Sequence, residues 1–333
     1  MPRAQGSTPS WSTTATSSDS IIGWLLDGDP AIRWQTLRDL AGADERLVAR
    51  ERGKIARTGW GSRLLARQDP QGTWGGGLYS PKWTSTTYTM LALRDCGLPA
   101  GNRQARKGCR LLLEHGMRRD GGINYGRSAQ SETCITGMVL SILSYFEHDD
   151  DRLDEIAAHL LERQMPDGGW NCALPAATHA SVHTTINVLE GLRHYELFRT
   201  RLVAAVRGAQ QRGREFLLAH RLFRSHRTGQ IIKPAFVRFS FPPRWHYDIL
   251  RGLDYFQSVG AARDARLQEA IEIVRRARKG GDRWPLQNRH DGRTYFEFER
   301  AGGPSRWNTL RALRVLKWWE AQDPHPPRQE EDA

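Results

Sequence analysis

The densest group of chemically capable side chains is the run Arg244-Trp245-His246-Tyr247-Asp248, directly after Pro242-Pro243. A proline pair stops one element, so these residues stand at the opening of a helix. In a pocket, Asp248 or His246 can act as general acid or base, and Arg244 can hold a phosphate or diphosphate. The bland alternative is a carboxylate balancing the helix dipole, with Trp245 as packing. Arg306, Trp307 and Asn308 occupy the matching place in a later segment and would line the same rim. Trp34, Trp83, Tyr88, Tyr125, Trp245 and Trp307 all fall near predicted helix starts. Aromatic walls there suit an apolar chain and can stabilise a cation, or they simply pack one helix on the next. Cys134 and His183, 49 residues apart, are a thiol and an imidazole of metal-binding type. Structurally they are also a small buried hydrophobe and a helix-start residue bonding backbone.

The elements that must position these groups repeat. Leu64-Leu65-x-x-Gln68-x-Pro70-x-Gly72-x-Trp74 recurs as Leu160-Leu161-x-x-Gln164-x-Pro166-x-Gly168-x-Trp170, 96 residues later, or two periods of 48. Midway stand Leu112-Leu113 and Asp120-Gly121-Gly122-Ile123, and weaker echoes end at Gly229 and at Gly281-Asp282-Arg283-Trp284. A helical pattern with this period predicts stacked helical hairpins. The apolar pair ends a helix, Pro and Gly stop it, and the tryptophan returns to pack on the next one. The glutamine can bond the backbone groups freed at that corner. Inner helices are predicted to begin near Pro30, Thr84, Ser131, Ser181, Arg244 and Ser305, with charged, amphipathic outer helices between them. The stretch Ser20–Leu26 reads as the short first outer helix. Arg33-Trp34-Gln35-Thr36-Leu37-Arg38 resembles Arg306-Trp307-Asn308-Thr309-Leu310-Arg311. In an open solenoid the end repeats would differ as caps, so their likeness predicts a closed ring.

Composition bounds the partners. The net charge of +12 comes almost wholly from arginines scattered along helices, without the clustered stacking aromatics of a nucleic-acid binder. No run of about 18 apolar residues exists, so no transmembrane segment is expected. The chain has no basic-then-apolar leader, and its four cysteines have no paired spacing, which points to reduced thiols and a cytoplasmic setting.

The Gln-x-x-x-Gly-x-Trp corners, the period near 50 and the six inner helices resemble the terpenoid cyclase and protein prenyltransferase superfamily, over roughly residues 20 to 320. The Asp-x-Asp-Asp motif of squalene-type cyclases is missing. The acidic run Asp149 to Asp154 sits before an outer helix, and the chain has room for one helical domain where those cyclases have two. Glu132-Thr133-Cys134 and His183-Thr184-Thr185 look like the Asp-x-Cys and His-Thr elements of prenyltransferase β-subunits, with Glu in place of Asp. That resemblance implies zinc held by Glu132, Cys134 and His183, with His179 and Cys172 as reserve ligands. It also implies an isoprenoid or other lipid-like substrate, and a possible protein partner.

The expectations are therefore these. The fold is an all-α, squalene cyclase-like α/α toroid over 20–320, between a disordered lead (1–19) and tail (321–333). A pocket at the N-terminal ends of the inner helices is lined by Arg244, Trp245, Tyr247, Arg306, Trp307, Asn308, Tyr88 and Trp34. Asp248, His246 and Glu132 are its catalytic candidates, for prenyl transfer or for proton-initiated cyclisation. The competing expectation is a non-catalytic toroid that binds a lipid or a protein partner.

Overall fold

The computed structural model describes residues 20–322, so the expected lead and nearly all of the expected tail lie outside the described residues. Its repeats are fixed by how each corner meets the carbonyls that a helix end leaves unpaired. Helix α4 (Gly59–Leu65) ends on the apolar pair. There the buried indole N–H of Trp74 donates to the Leu64 carbonyl at 2.8 Å. Gln68 donates to the carbonyls of Gly72 and Gln104, both at 2.9 Å. After α8 (Arg152–Glu162) the same bonds recur. Trp170 donates to Leu160 at 2.7 Å, and Gln164 to Gly168 and Ala209 at 2.7 and 2.9 Å. After α12 (Gln268–Arg276), Trp284 donates to Val274 at 2.7 Å. Gln104 and Ala209 belong to the following outer helices, α6 (Arg103–Gly116) and α10 (Val203–Ala219), so each glutamine also ties one repeat to the next. Gly72 and Gly168 turn the corner at φ +99° and +89°, where a Cβ would be strained.

Among the described residues, six inner helices form the lining layer: α2 (Pro30–Asp39), α5 (Thr86–Cys96), α7 (Thr133–Tyr145), α9 (Val182–Phe198), α11 (Ile249–Ser258) and α13 (Arg306–Glu320). A set of bonds that the sequence pattern did not suggest locks four of them to their corners. The backbone N–H groups of Trp74, Ile123, Trp170 and Trp284 donate to the hydroxyls of Thr86, Thr136, Thr185 and Thr309 at 3.1, 2.9, 3.0 and 3.0 Å.

The outer helices are amphipathic, and α6 shows why. Ala105, Gly108, Cys109, Leu112 and Leu113 bury one stripe at helical spacing, and charges fill the other face.

Neighbouring inner helices touch in chain order around the ring. The indole of Trp34 on α2 donates to the Cys96 carbonyl on α5 at 2.8 Å. The backbones of α7 and α9 meet at Gly137 and Gly191, where a Cβ on Gly191 would lie 2.5 Å from the Gly137 oxygen. The ring closes between α13 and α2. Arg314 donates to Gln35 at 3.1 Å and to Asp39 at 3.2 Å, and Lys317 to the Asp39 carbonyl at 2.9 Å. The fold is an all-α toroid, as the matching end repeats imply. Helix α1 (Ile21–Leu26) lies at the closure, where Arg306 donates to the Trp24 carbonyl at 3.0 Å. Helix α3 (Glu45–Arg52), which reaches the Gly97 carbonyl through Arg52 at 2.8 Å, lies outside the expected inner–outer alternation.

The connection between Trp284 and Ser305 departs furthest from the repeat. It crosses the N-terminal ends of the inner helices, where the Trp83 amide N–H donates to the Arg293 carbonyl at 2.6 Å. The Trp83 indole N–H donates to the Asp291 carbonyl at 2.8 Å. The Tyr295 hydroxyl adds a bond to the Thr84 carbonyl at 2.9 Å, and together these bonds pin the loop to the residues that lead into α5.

Two substitutions test these contacts. Trp170→Phe keeps the ring packing but leaves the buried Leu160 carbonyl without its indole partner. It should lower the unfolding free energy by about 1–3 kcal/mol in urea titrations, as should Trp74→Phe. Gly191→Ala should cost about as much or more, because two helix backbones must separate to admit the methyl group.

Candidate functional site

The ring encloses a cavity of about 470 Å³, within the range of small-molecule sites. Its lining comes mainly from the later halves of α2, α5, α7 and α9, from α11, and from the first half of α13, and it includes few of the residues expected at the N-terminal ends. Its wall is ionic: Arg38, Arg94, Arg193, Arg251, Arg311 and Arg314 face Asp39, Asp95, Glu190 and Asp254.

Four of these arginines and all four carboxylates form a girdle. Arg94 on α5 pairs with Asp95 at 2.7 Å and with Glu190 on α9 at 3.3 Å. Arg251 on α11 grips both oxygens of Glu190, at 2.6 and 2.9 Å. Arg311 and Arg314 on α13 share Asp254 of α11, at 3.4 and 2.5 Å, and Arg314 reaches on to Asp39 of α2. Burial alone would raise the Glu190 carboxyl, but Arg251 and Arg94 outweigh it and hold it at about 2. Burial, with Arg94 close by, lowers His194 to about 4, so this wall histidine is neutral.

Six arginines against four carboxylates leave two positive charges in excess on the wall. The most exposed of the six are Arg38 and Arg193, which stand on α2 and α9, opposite each other in the ring. Girdle arginines expose 4–16% of their side chains, whereas Arg193 exposes 26% and Arg38 50%. Arg38 lies 4.5 Å over the Trp34 ring and donates to both Asp39 oxygens, at 2.5 and 3.0 Å. Arg193 donates to the Ser258 carbonyl at 3.3 Å and lies 3.7 Å from Glu196, one turn along its own helix. Between the charges Trp34, Tyr145, Phe241, Tyr255 and Trp307 supply apolar wall. Trp307 is stacked on Phe241 at 4.0 Å.

Of the residues expected to bind substrate, Trp34 and Trp307 line this cavity. The others are placed differently, for physical reasons. The N-terminal mouth is filled by a stack: His246 lies between Trp245 and His290, both centroids at 3.8 Å, with Trp83 and His183 edge-on at 5.9 and 5.8 Å. Tyr88 packs on Trp83 at 4.7 Å, and Tyr247 on Phe236 at 5.0 Å. Arg244 lies 5.5 Å from the Trp83 ring, and burial lowers it to about 10. Asp248 is the cap of α11, accepting from the Ser240 N–H and hydroxyl and from the Arg251 N–H at 3.0, 2.7 and 2.9 Å. Its proton-transfer role gives way to the helix-start alternative. Arg306 turns outward to the Trp24 carbonyl at 3.0 Å, and Asn308 donates to the Pro285 carbonyl at 3.0 Å.

The zinc set is not assembled as the resemblance implies. His183 accepts the Tyr247 N–H at its Nδ1, at 2.9 Å, and its ring is held edge-on by Phe236 and Trp245 at 5.1 and 5.2 Å. Among the described residues, the group that converges is Glu132, Cys134 and Cys172, with one donor atom of each within 4.8 Å of the others. The imidazole the resemblance calls for is missing from it, so no step is routed through a metal. Equivalence between repeats predicts Cys134 beside His183, but the corner loop before α9 brings Cys172 to Cys134 instead.

The girdle itself escaped the sequence reading. The available signal was a charge inside an otherwise apolar stretch of an inner helix, as in Leu189-Glu190-Gly191 and Leu310-Arg311-Ala312.

Comparison with known proteins adds little to this geometry. No family model matches the chain, and no curated protein matches it. Among solved structures it is similar to a protein from Actinoplanes, at 15% identity and a TM-score of 0.45, over 88% of this chain and 90% of that one. It is also similar to the type II terpene cyclase MstE from Scytonema without ligand, at 14% identity and a TM-score of 0.33, over 77% of this chain and 94% of that one. A variant of MstE in complex with geranylgeranyl dihydroxybenzoate, its substrate, gives 14% identity and a TM-score of 0.31, over 78% and 94%. Likenesses of this size attach neither ligand nor reaction to the chain.

Acid should unfold the filled mouth. Burial lowers His183 and His246 to about 3 and His290 to about 4, below the ordinary value of about 6.5. The native state therefore holds these rings neutral, and the unfolded state takes up the protons first. Stability is fully present above about pH 6.5 and is lost as pH falls toward 4. Melting temperatures should hold level from pH 7.5 to about 6.5 and then fall toward pH 4.5, and His290→Phe should shallow that fall.

Proposed function

We propose that this toroid binds a small amphiphilic anion of the isoprenoid diphosphate class in its central cavity. The observation that carries this reading is the surplus of two arginines over a set of wall carboxylates that is otherwise fully paired. Arg38 and Arg193 take the anionic head from opposite sides of the ring, and the apolar wall from Trp34 to Trp307 takes the chain. Charge-assisted bonds from guanidinium to phosphate are the strong class of hydrogen bond, which gives the head its selectivity.

Binding is favoured over cyclisation by the state of the acids. Glu190, held at about 2 by Arg251 and Arg94, has no proton to give an alkene. Each carboxylate on the wall pairs with at least one arginine. The function that this wall supports is therefore that of a lipid-binding toroid, with a diphosphate ester as its probe ligand.

Calorimetry with farnesyl diphosphate, farnesol and inorganic diphosphate tests it. Farnesyl diphosphate should bind best, and its affinity should weaken as salt rises. The double variant Arg38→Gln with Arg193→Gln balances the wall charge while keeping the bonds of Arg94, Arg251, Arg311 and Arg314, and should lose about 10- to 100-fold in affinity. Equal binding of farnesol, or unchanged affinity in that variant, overturns the proposal.

A further inference from the structure

We propose that Cys172 and Cys134 form a peroxide-reactive dithiol, a modification site on the ring that is separate from the central cavity. Cys134 lies in the first turn of α7, and Cys172 in the corner loop just after Trp170. The two are 38 residues apart in sequence, yet their sulfurs lie within 4.8 Å of each other. The Cys134 amide N–H donates to the Cys172 sulfur at 3.1 Å, and the Thr184 hydroxyl lies 3.4 Å from the same sulfur. The Glu132 carboxylate is 3.5 Å from the Cys134 sulfur. Both thiols are only partly buried, whereas Cys96 and Cys109 are sealed in the core. A small peroxide can therefore reach the first pair and not the others.

The arrangement assigns the two sulfurs different parts. Cys172, whose sulfur accepts the Cys134 N–H and has the Thr184 hydroxyl beside it, attacks one peroxide oxygen. The O–O bond breaks, hydroxide leaves and combines with the thiol proton as water, and Cys172 becomes a sulfenic acid. The Cys134 sulfur then attacks the sulfenic sulfur, its proton passing by way of Glu132 to the departing hydroxyl, which leaves as a second water. Two thiols have lost two electrons and the peroxide has gained them. The S–S bond of about 2.05 Å needs only a local approach of a loop residue to a helix start. The product covalently joins the start of the third inner helix to the corner before the fourth.

Mass spectrometry of the whole chain treated with hydrogen peroxide reads this out. The expected result is loss of two hydrogens and one disulfide-linked peptide pair joining Cys134 to Cys172. Cys134→Ser should stop at a Cys172 sulfenic acid, trapped by dimedone at least about tenfold faster than Cys96 or Cys109. Cys172→Ser should give neither product, with circular dichroism confirming that both variants fold. The proposal fails if no cross-link forms while free glutathione in the same tube is oxidised. It fails equally if the cross-link involves Cys96 or Cys109, or if stoichiometric zinc holds both thiols through the treatment. None of these outcomes depends on what the central cavity binds.

Discussion

The ring depends on a girdle of ion pairs that no pair of adjacent residues could make alone. Glu190 is gripped from α5 by Arg94 and from α11 by Arg251, while Asp254 and Asp39 are joined through Arg314 across the closure. Removing such charges from water costs several kcal/mol per ion, so the pairs are poor evidence of extra stability. Their force lies in what happens when one is broken, because the partner is then stranded inside the wall. An open superhelix would break the Arg314 bonds to Gln35 and Asp39, leaving Arg314 with Asp254 alone and Asp39 with Arg38 alone. The girdle thus selects the closed ring and fixes the rotation of each inner helix about its own axis.

That constraint also determines where a ligand can go. Where long arginine side chains line the inner helices, space remains between them. At the N-terminal ends the connection between Trp284 and Ser305 lies across the helices. Rings of Trp83, Trp245, His246 and His290 fill what space is left. The histidines belong to this filling because a neutral imidazole stacks like any small aromatic.

The corners were legible in the sequence because their physics is local. A glutamine, a glycine at positive φ and a tryptophan meet backbone carbonyls within ten residues of themselves, so the motif and the bonds coincide. Closure was legible from the likeness of Arg33–Arg38 to Arg306–Arg311, since both segments occupy neighbouring positions in the ring. The girdle was not, because Arg94 and Glu190 are 96 residues apart and meet only once two repeats have stacked. Cys134 and His183 show the limit of repeat logic. Equivalent positions on adjacent helices face the same way, but a loop side chain can reach one of them first, and Cys172 does.

A division of labour follows from the way the charges are distributed. Arg94, Arg251, Arg311 and Arg314 are each bound to a carboxylate on a neighbouring helix or on their own, so a ligand that took one of them would have to break the ring's own contacts. Arg38 and Arg193 are more exposed, and the bonds they make, to Asp39, to Glu196 at 3.7 Å and to a carbonyl, lie at the edge of the girdle. Asp39 keeps Arg314 when Arg38 turns to a ligand, so recognition can draw on these two while Arg314 still spans the closure. The positive excess of the cavity is therefore held by the side chains that the structure can spare, which is the arrangement expected where a scaffold and a binding site share one wall.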